Sequence, residues 1–127
     1  MPVTMLYAGL LGLWFVALSV KVIQGRGRYK VNLGDGGNAS MQRLIRGQAN
    51  FNEYVPLALL LMALLESAGT SALVMHALGA SLLVARILHG VALSFTEHFF
   101  FGRFVGTLLT YLMLVAAAGL CLWQFFA

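Results

Sequence analysis

Four long apolar stretches dominate the 127-residue chain and restrict it to folds that a lipid bilayer can hold. They run over residues 3–23, 41–67, 71–96 and 104–126, and each is near or above the ~20 residues that a helix needs to cross the hydrocarbon. Hydrophobic residues make up 61% of the chain and charged residues 9%, which leaves too little polar surface to cover a soluble globule. The sequence therefore predicts an all-α fold, an integral membrane four-helix bundle of up-down topology, as a single domain over residues 1–127.

The basic residues lie on one side of this predicted bundle. All of them fall in or near the connections after the first and third stretches, or in the helix halves facing those connections: Lys21, Arg26, Arg28, Lys30, Arg43, Arg46, Arg86 and Arg103. Positively charged loops stay in the cytoplasm, so we expect both termini and the short connection around Gly69 on the opposite side. The net charge of +4 is thus explained by topology, and no nucleic-acid partner is predicted.

The other local features point to structural roles. The first stretch lacks a charged leader and a small-residue cleavage site, so we expect a retained helix. In the loop at 24–40, "GDGGN" has no following Gly-Lys-Ser/Thr and no preceding strand, which favours a tight turn over a phosphate-binding loop. Cys121 is the only cysteine, which excludes an internal disulfide and C-x-x-C motifs, and it is interpreted as apolar filling.

The second stretch begins with a polar half, in "IRGQANFNEYVPLALLLMALLE" from Ile45 to Glu66. At 3.6 residues per turn, Asn50 lies about 40° around the helix from Arg46, and Glu53 lies about 20° from Arg46 in the opposite direction. The three residues therefore share one narrow stripe. Arg46 and Glu53 are about 10 Å apart along the axis, which is too far for an easy i,i+4 type of ion pair. Each is therefore expected to need a partner from another helix or from a ligand.

The third and fourth stretches carry polar residues at the same predicted depth. Arg86 and His89 are three residues apart on one helix face, Arg103 opens the fourth helix, and Arg26 lies near the end of the first. Charged residues inside spanning helices cost roughly 2.5–3.5 kcal/mol each and usually face the bundle interior or a wet cavity. The sequence thus predicts a polar site in the cytoplasmic half of the bundle.

Two interpretations of this site remain open at the level of the residues. In the structural one, Glu53 pairs with Arg86 and holds the second and third helices together. In the functional one, surplus positive charge on Arg46, Arg86 and Arg103 binds an anionic ligand from the cytosol. A metal site is not predicted, because the spacing of Glu53, His89 and His98 puts only one possible metal ligand on each local face.

The motif Arg46-x-x-x-Asn50-x-x-Glu53-Tyr54, followed by a proline, resembles the second-helix signature of the MAPEG family, the membrane-associated proteins in eicosanoid and glutathione metabolism. The resemblance covers the whole chain, with "GDGGN" in the basic first loop as in bacterial members and Arg103 opening the fourth helix. It implies a homotrimer that binds glutathione between neighbouring subunits near the cytosolic side.

The same resemblance implies roles for individual residues. Arg103 matches the arginine proposed to stabilise the glutathione thiolate, and it is the predicted catalytic residue. The predicted glutathione-binding residues are Arg26, Arg46, Asn50, Glu53, Tyr54, Arg86 and His89. Leu93 departs from the pattern, because the better-known eicosanoid enzymes carry a tyrosine one turn beyond the position of His89.

These roles imply a glutathione transferase or peroxidase of a bacterial inner membrane, with its active site toward the cytoplasm. Glutathione would be its co-substrate, and an apolar electrophile or lipid hydroperoxide would enter from the bilayer. The site chemistry is compatible, because two carboxylates and an amine call for several cations and one anion. The alternatives are a noncatalytic membrane scaffold and a small-molecule transporter, although residues 3–20 lack the acidic residue on which small four-helix exporters depend.

The orientation can be tested by cysteine labelling in intact cells. A cysteine placed at Asn32, in the first loop, should resist a membrane-impermeant reagent until the membrane is opened, because positive loops are retained in the cytoplasm. Modification of that cysteine from outside intact cells would show that the orientation is wrong.

Overall fold

The computed structural model describes residues 2–127. Within them the chain forms α1 (Pro2–Tyr29), α2 (Ala39–Ser67), α3 (Ala72–Gly90) and α4 (Phe100–Phe126). A five-residue π-helical segment, Val91–Phe95, continues α3 and is called the π turn below. Short connections join consecutive helices, and α2 and α3 each contact both α1 and α4. The predicted all-α four-helix bundle with up-down topology is confirmed.

Three of the helices within residues 2–127 are long and apolar enough to cross a membrane. These are α1, α3 together with the π turn, and α4, which span 28, 24 and 27 residues. Helix α2 has 29 residues but falls short in hydropathy, because charged and amide side chains occupy its first half. The protein is therefore an integral membrane protein whose second helix is less hydrophobic than the other three.

The first loop is shorter than the sequence predicts. Helix α1 runs six residues past the expected end at 23, through a segment with two glycines. A side chain at Gly25 would collide with Leu44 and Met41, so this glycine permits the end of α1 to approach the start of α2 closely. Asn38 caps α2 by accepting a 2.9 Å hydrogen bond from the Met41 amide, which starts the helix two residues before the expected position.

The "GDGGN" segment forms a turn, as predicted. Gly34, Gly36 and Gly37 have φ values of +66°, +59° and +74°, in a region that residues with a side chain rarely adopt. The Asp35 carboxylate accepts a 2.9 Å hydrogen bond from the Gly37 amide and stabilises the turn.

The opposite end of the bundle is held by contacts that the sequence analysis did not predict. Both carboxylate oxygens of Glu66 accept hydrogen bonds of 2.8 Å, from the Val3 and Thr4 amides at the start of α1. The first amides of a helix have no intrahelical partner, so an acidic side chain from α2 satisfies them. Nearby, the Tyr7 hydroxyl lies 3.0 Å from Nδ1 of His76, which explains the position of that histidine by packing between α1 and α3.

Helices α3 and α4 lie in close contact at Gly106. A Cβ atom built there would lie 2.7 Å from the Ala85 carbonyl oxygen and 2.9 Å from the His89 Cβ. A backbone oxygen cannot give way as a flexible side chain can. The absence of a side chain at Gly106 therefore sets the distance between the two helices beside His89.

We predict that Gly106→Ala lowers the free energy of unfolding by about 1–3 kcal/mol, the usual cost of overpacking. Equilibrium unfolding of the detergent-solubilised protein measures this loss. Gly119→Ala is the matched control on the same helix, because a Cβ there would meet nothing within 4 Å. Equal stability of the two variants would contradict the close approach of α3 and α4.

Candidate functional site

The polar stripe of α2 lies on the surface of the single chain and contains an ion pair. Arg46 Nη2 lies 2.9 Å from Glu53 Oε1, and both side chains are 47% exposed. The expectation that these residues are too far apart to pair is wrong. Seven residues are almost two full turns, so the residues point the same way, and the two long side chains extend along the helix toward each other.

Arg86 is the most deeply buried charge described, at 1% exposure. Its Nη2 donates a 2.7 Å hydrogen bond to Asn50 Oδ1, and its Nη1 lies 3.5 Å from Thr110 Oγ1. Its guanidinium also lies 5.9 Å from the ring centre of Phe51. The alternative in which Glu53 pairs with Arg86 is therefore wrong, because Arg86 hydrogen-bonds to neutral side chains and Glu53 pairs with Arg46.

His89 is buried next to this arginine, at 2% exposure. Its Nδ1 has no hydrogen-bond partner among the described residues. It follows Arg86 by three residues and therefore lies on the same face of α3. The backbone of His89 packs against Gly106, so the close approach of α3 and α4 positions the imidazole.

Tyr54 extends the site toward the middle of α4. Its hydroxyl lies 2.9 Å from the hydroxyl of Tyr111, and the two ring centres are 5.5 Å apart. Tyr111 is 45% exposed, so this pair of phenols is open to the surroundings of the single chain. Besides the charged groups, the site thus contains two hydroxyl groups that can donate or accept hydrogen bonds.

Two of the predicted site residues lie apart from these contacts. Arg103 is exposed, and its side chain makes no hydrogen bond or ion pair with any residue in 2–127. Arg26 donates to the carbonyl oxygens of Val31 and Gly34, at 3.4 and 3.0 Å, and so organises the first loop. The other six predicted residues lie on α2 and α3, where five of them make side-chain contacts and His89 shares a helix face with Arg86. We call these six, with Thr110 and Tyr111, the polar cluster.

Sequence reasoning missed both contributions of α4 to the polar cluster. Thr110 is seven residues after Arg103 and therefore lies on the same side of the helix, which is the spacing that links Arg46 and Glu53. That periodicity was the available signal. Tyr111 carries no such signal, because a tyrosine in an apolar helix is equally typical of a membrane interface.

The π turn places its backbone carbonyls within reach of α2. Arg43 Nη2 donates to the carbonyl oxygens of Ala92 and Thr96, at 2.7 and 3.3 Å. On the other side, Trp14 Nε1 donates a 3.0 Å hydrogen bond to the Arg86 carbonyl. The irregular helix after His89 is thus held from α1 and from α2, which is consistent with the frequent occurrence of π segments at functional sites.

The chain belongs to the MAPEG family, whose family model matches residues 4–123. Among curated proteins it is similar to "Inner membrane protein YecN" of Escherichia coli strain K12 and of Escherichia coli O6:H1 strain CFT073, at 38% identity over 87 residues in each case. The match covers 68% of this chain and 66% of each relative, just under two thirds of their length. No solved structure matches the chain.

We predict that Asn50→Ala lowers the free energy of unfolding by about 1.5–3 kcal/mol, because Arg86 loses its shortest hydrogen bond while it stays buried. Equilibrium unfolding in detergent without added ligand measures the loss. Asn52→Ala is the control, since Asn52 is exposed on the same helix and should change stability by less than about 0.5 kcal/mol. Similar losses in both variants would show that the Asn50–Arg86 contact contributes nothing specific.

Proposed function

We propose that the protein is a membrane-bound glutathione transferase or peroxidase, which activates the glutathione thiol for attack on apolar electrophiles or lipid hydroperoxides. The observation that carries this proposal is the charge state of the polar cluster and of Arg103. Arg46 is neutralised by Glu53, whereas Arg86 has only neutral partners and Arg103 has none within residues 2–127. Glutathione with its thiol ionised has two carboxylates, one ammonium and one thiolate, so its net charge balances these two cations.

The Arg46–Glu53 pair supports binding because it can be exchanged. An ion pair that is half exposed is worth only about 0–1 kcal/mol, so opening it costs little. Arg46 can then bind a glutathione carboxylate and Glu53 can accept hydrogen bonds from the glutathione ammonium. The two members of the ion pair thus become the two ends of the binding site.

Arg103 is proposed to act on sulfur. A free thiol of the cysteine type has a pKa of about 8.5, and a fixed positive charge favours its ionised form. The proton leaves to solvent, and the thiolate attacks an electrophilic carbon, forming the C–S bond as the leaving group departs. With a hydroperoxide, the thiolate attacks the terminal oxygen, the O–O bond breaks, and the alkoxide takes a proton from solvent and leaves as the alcohol. A second glutathione then converts the sulfenic acid to a disulfide and water.

Membership of the MAPEG family supports a role in glutathione or eicosanoid chemistry, and the exposed apolar surfaces support a lipid-soluble second substrate. Leu93, where the eicosanoid enzymes carry a tyrosine, is 4% exposed and belongs to the π turn. It offers no hydroxyl group to a substrate, which favours a general transferase or peroxidase. The relatives are named as inner membrane proteins of Escherichia coli, which supports a bacterial inner membrane, with glutathione entering from the cytosol.

The proposed assembly is a homotrimer with glutathione between subunits. Arg46, Glu53 and Tyr111 remain about half exposed in the single chain, so the polar cluster is open on the side where a neighbour would lie. Native mass spectrometry from a mild detergent should show trimers. A spectrum that contained only monomers or dimers would contradict a site shared between subunits.

Substitutions should separate binding from chemistry. Glu53→Gln should weaken glutathione binding by about 1.5–3 kcal/mol, because it removes a charge-assisted contact. Arg103→Leu should lower turnover more than affinity, because the sulfur charge is larger in the reactive state than in the resting thiol. Calorimetry measures the affinity, and ultraviolet absorbance against pH should show the pKa of the bound thiol rising toward its free value in Arg103→Leu.

Lys30→Gln is the control for loss of one exposed positive charge near the same end of the bundle. It should change neither the affinity for glutathione, nor the turnover, nor the pKa of the bound thiol. If Arg103→Leu left turnover and thiol titration unchanged, and Glu53→Gln left affinity unchanged, the polar cluster would be a packing device and the enzymatic proposal would fail.

A further inference from the structure

A second polar site lies at the end of the bundle that holds the first loop. A cleft of about 260 Å³ opens between the end of α1, the start of α2 and the π turn. Three of its lining residues are cations, Lys21, Arg28 and Arg43, against the single carboxylate of Glu97. The cleft contains none of the six predicted residues that form the polar cluster, and neither Arg26 nor Arg103 lines it.

Two hydrogen-bond donors in the cleft are buried and have no acceptor among the described residues. Ser94 is 5% exposed, and its hydroxyl has no hydrogen-bond partner among the described residues. The buried Nε of Arg43 is equally unpaired within residues 2–127, although Nη2 of the same side chain is held by two carbonyl oxygens. Buried polar groups without a partner are rare in folded proteins, and they commonly mark a bound water, ion or ligand.

The cations around these donors are held in place. Lys21 Nζ lies 4.9 Å from the ring centre of Phe95, and Arg28 lies 5.5 Å from the ring centre of Tyr29. Aromatic faces orient the positive groups without neutralising them, so their charge stays available to an anion. A site with Arg, Lys and a hydroxyl donor suits the tetrahedral oxygens of a phosphate group.

The size and position of the cleft narrow the ligand further. Its volume is below the 300–1,000 Å³ typical of pockets for drug-sized molecules, so a small polar group fits better than a large apolar one. On α1, Val20 is 42% exposed and lies about 40° around the helix from Gln24, so it presents apolar surface next to the cleft. Basic pockets between helices at the cytoplasmic surface are a recurrent setting for anionic lipid headgroups.

We propose that this cleft binds a phosphate group, either of an anionic phospholipid headgroup or of a small soluble phosphate. Lys21, Arg28 and Arg43 supply the charge, and the Ser94 hydroxyl and Arg43 Nε donate hydrogen bonds. The bound group joins α1, α2 and the π turn at one point, so it stabilises the folded chain. The site is distinct from the proposed glutathione site, since it shares none of the proposed glutathione-binding or catalytic residues.

The test is native mass spectrometry of the full-length protein, delipidated in detergent and titrated with phosphatidylglycerol. Diacylglycerol is the lipid without phosphate, and glycerol phosphate and inorganic phosphate represent soluble sources. Lys21→Gln and Ser94→Ala should each weaken phosphate-dependent binding, with Lys21→Gln weakening it about tenfold, whereas Lys30→Gln, which removes a charge outside the cleft, should not. Thermal unfolding should show stabilisation by the same ligands in the same variants.

The arms distinguish the source of the phosphate. Binding of phosphatidylglycerol alone identifies a lipid headgroup, and equal binding of glycerol phosphate identifies a soluble ligand; either result supports the site. Phosphatidylglycerol that binds no better than diacylglycerol, with no binding of soluble phosphate, would overturn the proposal. Affinities unchanged in both cleft variants, or displacement of the phosphate by saturating glutathione, would overturn it as well.

Discussion

The polar half of this membrane protein depends on the hydrogen bonds of the buried Arg86 guanidinium. Its contacts with Asn50 and Thr110 join α3 to α2 and to α4 at a depth where an unpaired charge is costly. Both partners are neutral, so the hydrogen bonds satisfy part of the guanidinium while its charge remains. The same contact therefore holds three helices together and keeps the site positive.

This arrangement explains why α2 is less apolar than the other helices. A helix that only spanned the bilayer would need no Arg46, Asn50 or Glu53, and their presence reduces its hydropathy below that of its neighbours. The loss is tolerated because Asn50 turns toward the buried Arg86 and the other two residues pair with each other. The helix is stabilised as part of the bundle, since the bundle supplies the partners that lipid cannot.

Much of the fold could be predicted from the sequence, because a span of apolar residues determines both helix and membrane. The polar cluster could be predicted in outline, because residues 46, 50 and 53 share a helix face. The pairing within it could not, since helical spacing gives the directions of side chains but not the choice between two partners of similar reach. Glu53 thus pairs with Arg46 instead of Arg86.

Other features depend on contacts that leave little trace in the sequence. The π turn after Gly90 depends on Arg43 and Trp14, which lie on different helices and far away along the chain. The extension of α1 past residue 23 depends on the fit of Gly25 against α2. Glycine normally weakens a helix, so local propensity indicates a loop where packing between helices produces a further turn and a half.

The central claim is that the positive charge retained around Arg86 and Arg103 binds glutathione. Calorimetric titration of the detergent-solubilised wild-type protein measures this most directly. One series uses glutathione, and the other uses its diethyl ester, in which both carboxyl groups are esterified and uncharged. We expect saturable binding of glutathione that weakens as salt is added, and much weaker binding of the ester. Absence of saturable heat with glutathione, or equal binding of the ester, would contradict the claim.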